Sequence, residues 1–296
     1  MRMKAKENAA EKPILVGTRK AVLVGVNDYA PIGSGGPDLS GCVNDAADMA
    51  TTLKICGFSP SNIRILTNRN ATKANILKYL EWLLIKAKPG DSLVFYYSGH
   101  GTQVTNINGD IEIDGLDEAI VPHDYPSAGL ISDDVLKDVI NANLKENVNL
   151  EVFLDCCHSG SGTREFSFTG EKPTEKARFL PPMLEDSFYF IHQRELDSKE
   201  GEEMTVTRAF VPVVESKHTL WAACKANQVS MEGVMPDGKQ HGYFTYNLCK
   251  ILRATQGKIT RKALDAQIAQ ALYNMKAAQV NETECSQTEF NQMIFF

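Results

Sequence analysis

Two clusters bordered by glycine carry the reactive side chains of this 296-residue chain. Ser98-Gly99-His100-Gly101 ends the apolar run SLVFYY, and Asp155-Cys156-Cys157-His158-Ser159-Gly160 ends NLEVFL, with His100 and Cys157 separated by 57 positions. Covalent acyl transfer needs this pair of groups: a thiolate attacks a carbonyl, and an imidazole takes the proton and returns it. Glycine beside each lets a substrate approach the backbone, where freed N–H groups can stabilise an oxyanion. Strand periodicity separates the adjacent thiols. Phe153, Asp155 and Cys157 share one side, while Val152, Leu154 and Cys156 share the other. Cys157 is therefore expected in the exposed terminal position, with Cys156 continuing the apolar side. Two plain core thiols at a turn would leave the glycine-flanked His100 unexplained. A zinc site from Cys156, Cys157 and His158 is disfavoured, because adjacent strand residues point apart and spaced ligand pairs are absent.

Both clusters end apolar runs of a β-α alternation, which predicts an α/β fold with a mostly parallel central sheet and helices on both faces. AVLVGV, NIRILTN, SLVFYY and NLEVFL read as strands. Helices are expected over 41–56, over 73–88 behind the Thr72 cap, and over 133–144 behind the Ser132 cap. The pattern dissolves between 164 and 205. It returns as a strand at HTLWAACK, a helix at YFTYNLCKILRAT, and a long amphipathic helix over about 260–279. The expected organisation is a polar extension (1–19), a larger catalytic unit (20–163), an irregular linker (164–205) and a smaller unit (206–296) completing the same sheet. In such sheets ligands sit beyond the carboxyl ends of the strands, where both reactive clusters lie.

A net charge of -6 argues against a nucleic-acid partner. No apolar run is long enough for a membrane span, and residues 1–13 lack the core of a signal peptide, so a cytoplasmic protein is expected. Seven cysteines, odd in number and widely spread, do not read as a disulfide framework. No organic cofactor is expected.

In order and spacing, AVLVGVNDY, GCVNDA, VFYYSGHGTQ, DEAIVPHD, ISDD and LDCCHSGSG resemble the metacaspases, peptidases of the caspase-hemoglobinase fold. The likeness is strong over 20–163 and weaker over 206–296, and the type with a modest linker is the nearest match. It implies a cysteine endopeptidase acting on proteins or peptides after Arg or Lys, with His100 as general base and acid and Cys157 as nucleophile. It also implies an oxyanion hole from the amides of Gly101 and Cys157, a pocket for the basic side chain from Asp45, Ser98 and Asp155, and a monomer. A cation pocket needs fixed carboxylates, and Asp155 lies on the Cys157 side of its strand. Asp45 alone would equally suit a helix first turn.

The acid-rich stretch 108–134 fails as an EF-hand loop started at Asp110, since its twelfth position is Val121. The resemblance implies instead a calcium site at Asp117, Asp133 and Asp134. Arg164 stands about where a further carboxylate is expected. A pocket for basic side chains makes Arg164 and Arg178 candidates for self-cleavage. Phe179, Leu180 and the aromatic residues at 188–190 suggest that part of the linker packs on the body, as a lid would. His123, His192, His218 and His241 read as surface or structural histidines. The rival reading is a caspase-fold scaffold or binding module whose proteolysis is incidental or lost.

Overall fold

The computed structural model describes residues 17–29, 38–105, 116–157, 175–180, 218–225 and 228–295. Its first part runs β1 (Arg19–Gly25), α1 (Cys42–Ile55), β2 (Ile63–Thr67), α2 (Lys73–Leu84) and β3 (Ser92–Ser98). There follow β4 (Gly101–Thr105), β5 (Leu116–Ile120), α3 (Tyr125–Ala128), β6 (Ile131–Ser132), α4 (Asp133–Asn143) and β7 (Asn149–Asp155). The remainder comprises β8 (Lys176–Ala177), β9 (Thr219–Ala222), β10 (Met231–Val234), β11 (Gln240–Gly242), α5 (Tyr243–Thr255), α6 (Arg261–Asn274), β12 (Glu282–Glu284) and α7 (Gln287–Phe290).

Among the described residues, the main sheet has the order β12-β9-β7-β3-β1-β2. Every pairing in it is parallel except β12 with β9. Strands from both sides of the linker therefore share one sheet. Side chains alternate between two apolar layers, as a period of two requires. Val22, Val24, Phe95, Val152 and Leu154 pack with Ile76, Leu80, Leu136 and Ile140 of α2 and α4. Ala21, Leu23, Val94, Tyr96 and Phe153 pack with Met49, Leu53, Leu248, Leu264 and Ile268 of α1, α5 and α6. Full burial of one such large apolar side chain contributes roughly 1.5–3 kcal/mol, so the two layers hold the strand ends rigidly.

Thr72 and Ser132 cap their helices as expected, accepting from the amides of Asn75 at 3.2 Å and Val135 at 3.4 Å. Two helices stop earlier than periodicity suggests. The α2 helix ends at Leu84 rather than 88, and α6 ends at Asn274 rather than 279. Shortly after each end a lysine takes a left-handed conformation, Lys86 at φ 67° and Lys276 at φ 57°. That turns the chain although the following residues keep helix-like composition. Two small antiparallel sheets, β4-β5-β6 and β11-β10-β8, add to the expected parallel one; their strands are short and mixed in polarity. Part of the linker is one of those strands, β8. No helix among the described residues is long and apolar enough to cross a membrane.

Candidate active site

Parallel pairing of β3 with β7 sets Ser98 opposite Asp155, so the two strand ends finish level. Two residues further along each chain stand His100 and Cys157. The backbone around His100 is fixed by tyrosines: its amide donates to Tyr29 Oη at 2.6 Å, and Tyr97 Oη donates to its carbonyl at 2.7 Å. The Tyr29 ring lies 4.9 Å from the imidazole. Burial pushes both phenols well above their ordinary pKa, so they remain neutral partners.

Cys157 is completely buried, which corrects the exposed position expected for it. The side assignment itself agrees with the packing. Cys156 joins the layer under α2 and α4, whereas Cys157 clusters with Phe179, Cys224 and Val229. Phe179 belongs to the linker, so the linker covers the thiol. The Cys157 Sγ accepts from the Ser230 amide at 2.8 Å and lies 3.0 Å from the Gln228 carbonyl.

Residues 175–180 lie across the site in extended form. β8 pairs antiparallel with β10, setting Ala177 against Met231, and the Arg178 amide donates to the Ser230 carbonyl at 2.9 Å. The Arg178 carbonyl oxygen then accepts from two amides, Gly101 at 3.0 Å and Cys157 at 3.1 Å. Beyond it the Leu180 amide donates to the Gly101 carbonyl at 2.9 Å. Gly101 and Cys157 thus aim their N–H groups at one carbonyl oxygen, whose residue is an arginine.

That arginine is fully buried. Its Nη2 lies 2.6 Å from Asp45 Oδ2 and 3.3 Å from Glu232 Oε2, and its Nη1 lies 2.9 Å from Asp155 Oδ2 and 2.9 Å from Ser98 Oγ. Burial disfavours the guanidinium charge, but Asp155 and the other carboxylates outweigh it and hold Arg178 firmly protonated. Each acid is itself braced. Ser98 Oγ donates to Asp45 at 3.0 Å, and Asp155 accepts from Ser230 Oγ at 2.8 Å and Thr245 Oγ1 at 2.6 Å. Glu232 accepts from the amides of Ser40 at 2.7 Å and Gly41 at 3.0 Å, just before α1. Planar fork geometry suits such an arrangement, since each terminal nitrogen meets two oxygen-bearing partners.

Asp45, Ser98 and Asp155 therefore converge, and the structure adds Glu232, which no sequence pattern indicated. His241 also gains a place. Its Nδ1 lies 2.8 Å from Asp45 Oδ1 and its Nε2 lies 3.2 Å from Asp237. Burial opposes the imidazolium, but the hydrogen bond and charge of Asp45, joined by Asp237, raise its pKa overall. Gly242 forms a wall of the pocket, because a Cβ there would overlap Asp155 and Arg178. The remaining described histidines, His123 and His218, lie away from this cluster. Cys42 faces Glu232 Oε2 at 3.8 Å, and burial pushes its thiol well up.

The carboxylates suggested for calcium are differently engaged. Asp133 Oδ2 lies 2.5 Å from the Lys137 ammonium, and Asp134 lies 3.6 Å from it. Among the described residues no three His, Cys, Asp or Glu side chains gather as a metal cage. Lys137 thus already sets a positive charge beside both of these carboxylates. Arg164 lies outside the described residues, and so does the side chain of Asp117.

Residues 19–164 match the metacaspase, peptidase C14 domain. Metacaspase-1A of Aspergillus oryzae is 43% identical over 152 residues, covering 49% of this chain and 35% of that protein. Metacaspase-1 of Ajellomyces capsulatus is also 43% identical over 152 residues, covering 49% of this chain and 41% of the relative. The matched part is thus well under half the length of these relatives. Protein GSU0716 from Geobacter sulfurreducens shares the fold with a TM-score of 0.66 and 24% identity, covering 94% of this chain and 98% of its own. Residues 19–164, the segment that carries both strand-end clusters, thus match the metacaspase family of caspase-like peptidases.

Proposed function

We propose that the protein is a cysteine endopeptidase that hydrolyses peptide bonds after arginine, and after lysine more slowly, and that its own linker is a substrate. The observation that carries this reading is the lie of Arg178. Its side chain fills an acid-lined pocket while its carbonyl oxygen accepts from Gly101 and Cys157. A substrate residue on the acyl side of a scissile bond would need that same pair of contacts.

Cys157 Sγ attacks the carbonyl carbon of the bound basic residue, and His100 takes the thiol proton. The carbonyl oxygen becomes an oxyanion between the amides of Gly101 and Cys157; one such donor is worth about 3–4 kcal/mol of barrier in acyl transfer. His100 returns the proton to the leaving amine, and the thioester is released by water that His100 deprotonates. Arginine is favoured because its fork reaches Asp45 and Glu232 with one nitrogen and Asp155 and Ser98 with the other. A lysine ammonium cannot span both pairs. Calcium enters no step of this scheme.

Fluorogenic peptides ending in Arg, Lys or Asp, assayed on wild type and Cys157→Ala, test the reading. Hydrolysis of the Arg peptide, abolished in Cys157→Ala, is the expected result. A preference for Asp, or activity that survives in Cys157→Ala and vanishes in Cys156→Ala, would overturn it. No hydrolysis by any preparation, Arg178→Ala included, would favour a binding module on the same fold.

A further inference from the structure

The Sγ atoms of Cys157 and Cys224 lie 3.4 Å apart. Sheet register brings them together. β7 and β9 are bonded neighbours, with Leu154 opposite Ala222 and the Ala223 amide donating to the Leu154 carbonyl at 3.0 Å. The two thiols follow directly on those strand ends and share one apolar cluster with Val229 and Phe179. Disulfide bonding needs sulfurs about 2.05 Å apart, so an approach of roughly 1.4 Å would close the bond.

We propose that Cys157 and Cys224 form a redox modification site, joined by mild oxidation in a reversible disulfide that withdraws Cys157 from catalysis. Only the consequence for activity rests on the reading of Cys157 as nucleophile. Peroxide is the oxidant class. The Cys157 sulfur attacks one peroxide oxygen and the O–O bond breaks, leaving a sulfenic acid and, with the thiol proton, one water. The Cys224 sulfur then attacks the Cys157 sulfur. An S–S bond forms, the S–O bond breaks, and hydroxide leaves as water with the Cys224 proton. Two thiols lose two electrons, and peroxide is reduced to two waters. A thiol reductant reverses the bond by exchange. Without Cys224 that exchange is lost, and a second peroxide adds its oxygen to the sulfenic acid, leaving irreversible sulfinic acid and one water.

Other described thiols are poorer candidates. Burial holds Cys42 and Cys249 well above the ordinary thiol pKa and pushes Cys56 and Cys285 up to about 11, which keeps them protonated. The linker also controls access, because Phe179 packs over the pair while Arg178 anchors its segment.

Full-length wild type, Arg178→Ala, Cys224→Ser and Cys224→Ala are treated with hydrogen peroxide, blocked with N-ethylmaleimide, digested without reductant and analysed by mass spectrometry. The expected product is a linked peptide pair about 2 Da lighter than its parts. Fragmentation should assign the link to Cys157 and Cys224, and it should form faster in Arg178→Ala than in wild type. Dithiothreitol should remove it and restore any peptidase activity. Both Cys224 variants, checked for folding by circular dichroism, should instead accumulate Cys157 sulfinic acid that dithiothreitol does not reverse. Absence of the link in both wild type and Arg178→Ala, or a link from Cys156 in its place, overturns the proposal. The linked mass is read whether or not any peptide is hydrolysed, so a failure of the peptidase reading would be seen separately.

Discussion

The amide of Cys157 donates to the carbonyl oxygen of Arg178 at 3.1 Å, across 21 positions of sequence. That contact places the Arg178–Phe179 peptide bond beside Cys157. Self-cleavage there should leave Phe179 as a new N-terminus in wild type and no such fragment in Cys157→Ala, as N-terminal sequencing would read. Wild type should show an initial lag on an Arg peptide while its linker is cut, and Arg178→Ala should show none. Equal lags, or identical fragments from Cys157→Ala, would count against the docked linker as substrate.

Glu232 shares the guanidinium with Asp45 and Asp155 while fully buried. Removing one partner of a buried charge set costs about 2–5 kcal/mol in recognition. Glu232→Gln should therefore lower kcat/KM for Arg peptides at least about tenfold and narrow the preference for Arg over Lys. An unchanged Arg-to-Lys ratio would remove Glu232 from the pocket's selectivity.

Gly242 has backbone angles of φ -65° and ψ 136°, which any L-residue adopts. Gly242→Ala should thus add no backbone strain and yet lose Arg-peptide hydrolysis, because the added methyl occupies space that Asp155 and the guanidinium share. Retained activity with an unshifted KM would mean the pocket widens there.

His241 provides a pH test. Its pKa is raised in the folded protein, so its pairing stabilises the fold fully below the unfolded histidine value of about 6.5 and less as pH rises through the folded value. The stability lost in His241→Asn, measured by urea unfolding, should be larger at pH 5.5 than at pH 9. A loss that grows with pH would reverse the assigned sign.

Lys137 lies on Asp133 and Asp134 where a cation would be sought. Chelation with EGTA should accordingly leave the rate of Arg-peptide hydrolysis within about two-fold of that in calcium. A requirement for calcium would assign its ligands to residues beyond those described, with Lys137 displaced.

Much of the frame was legible in the sequence because its signals are local. Short apolar runs mark β1, β3 and β7, and Thr72 and Ser132 mark helix starts through the first amide each can reach. The side-by-side choice between Cys156 and Cys157 likewise follows from a period of two along one strand. The small antiparallel sheets carry no such signal, because strands of two to five mixed residues hold too little of a period and their pairing is set by tertiary packing.

The sequence by itself determined which residue types end the two central strands, and so that an imidazole, a thiol and an acid would share one edge of a parallel sheet. Only the tertiary structure decided what occupies that edge. Glu232, His241, Cys224 and Arg178 reach it from distant segments, and nothing local marks their meeting there, because a buried guanidinium is stable only where several distant carboxylates converge. The burial of Cys157 was decided in the same way: strand periodicity gives the side a thiol faces, but whether linker or solvent covers that side is set by long-range packing.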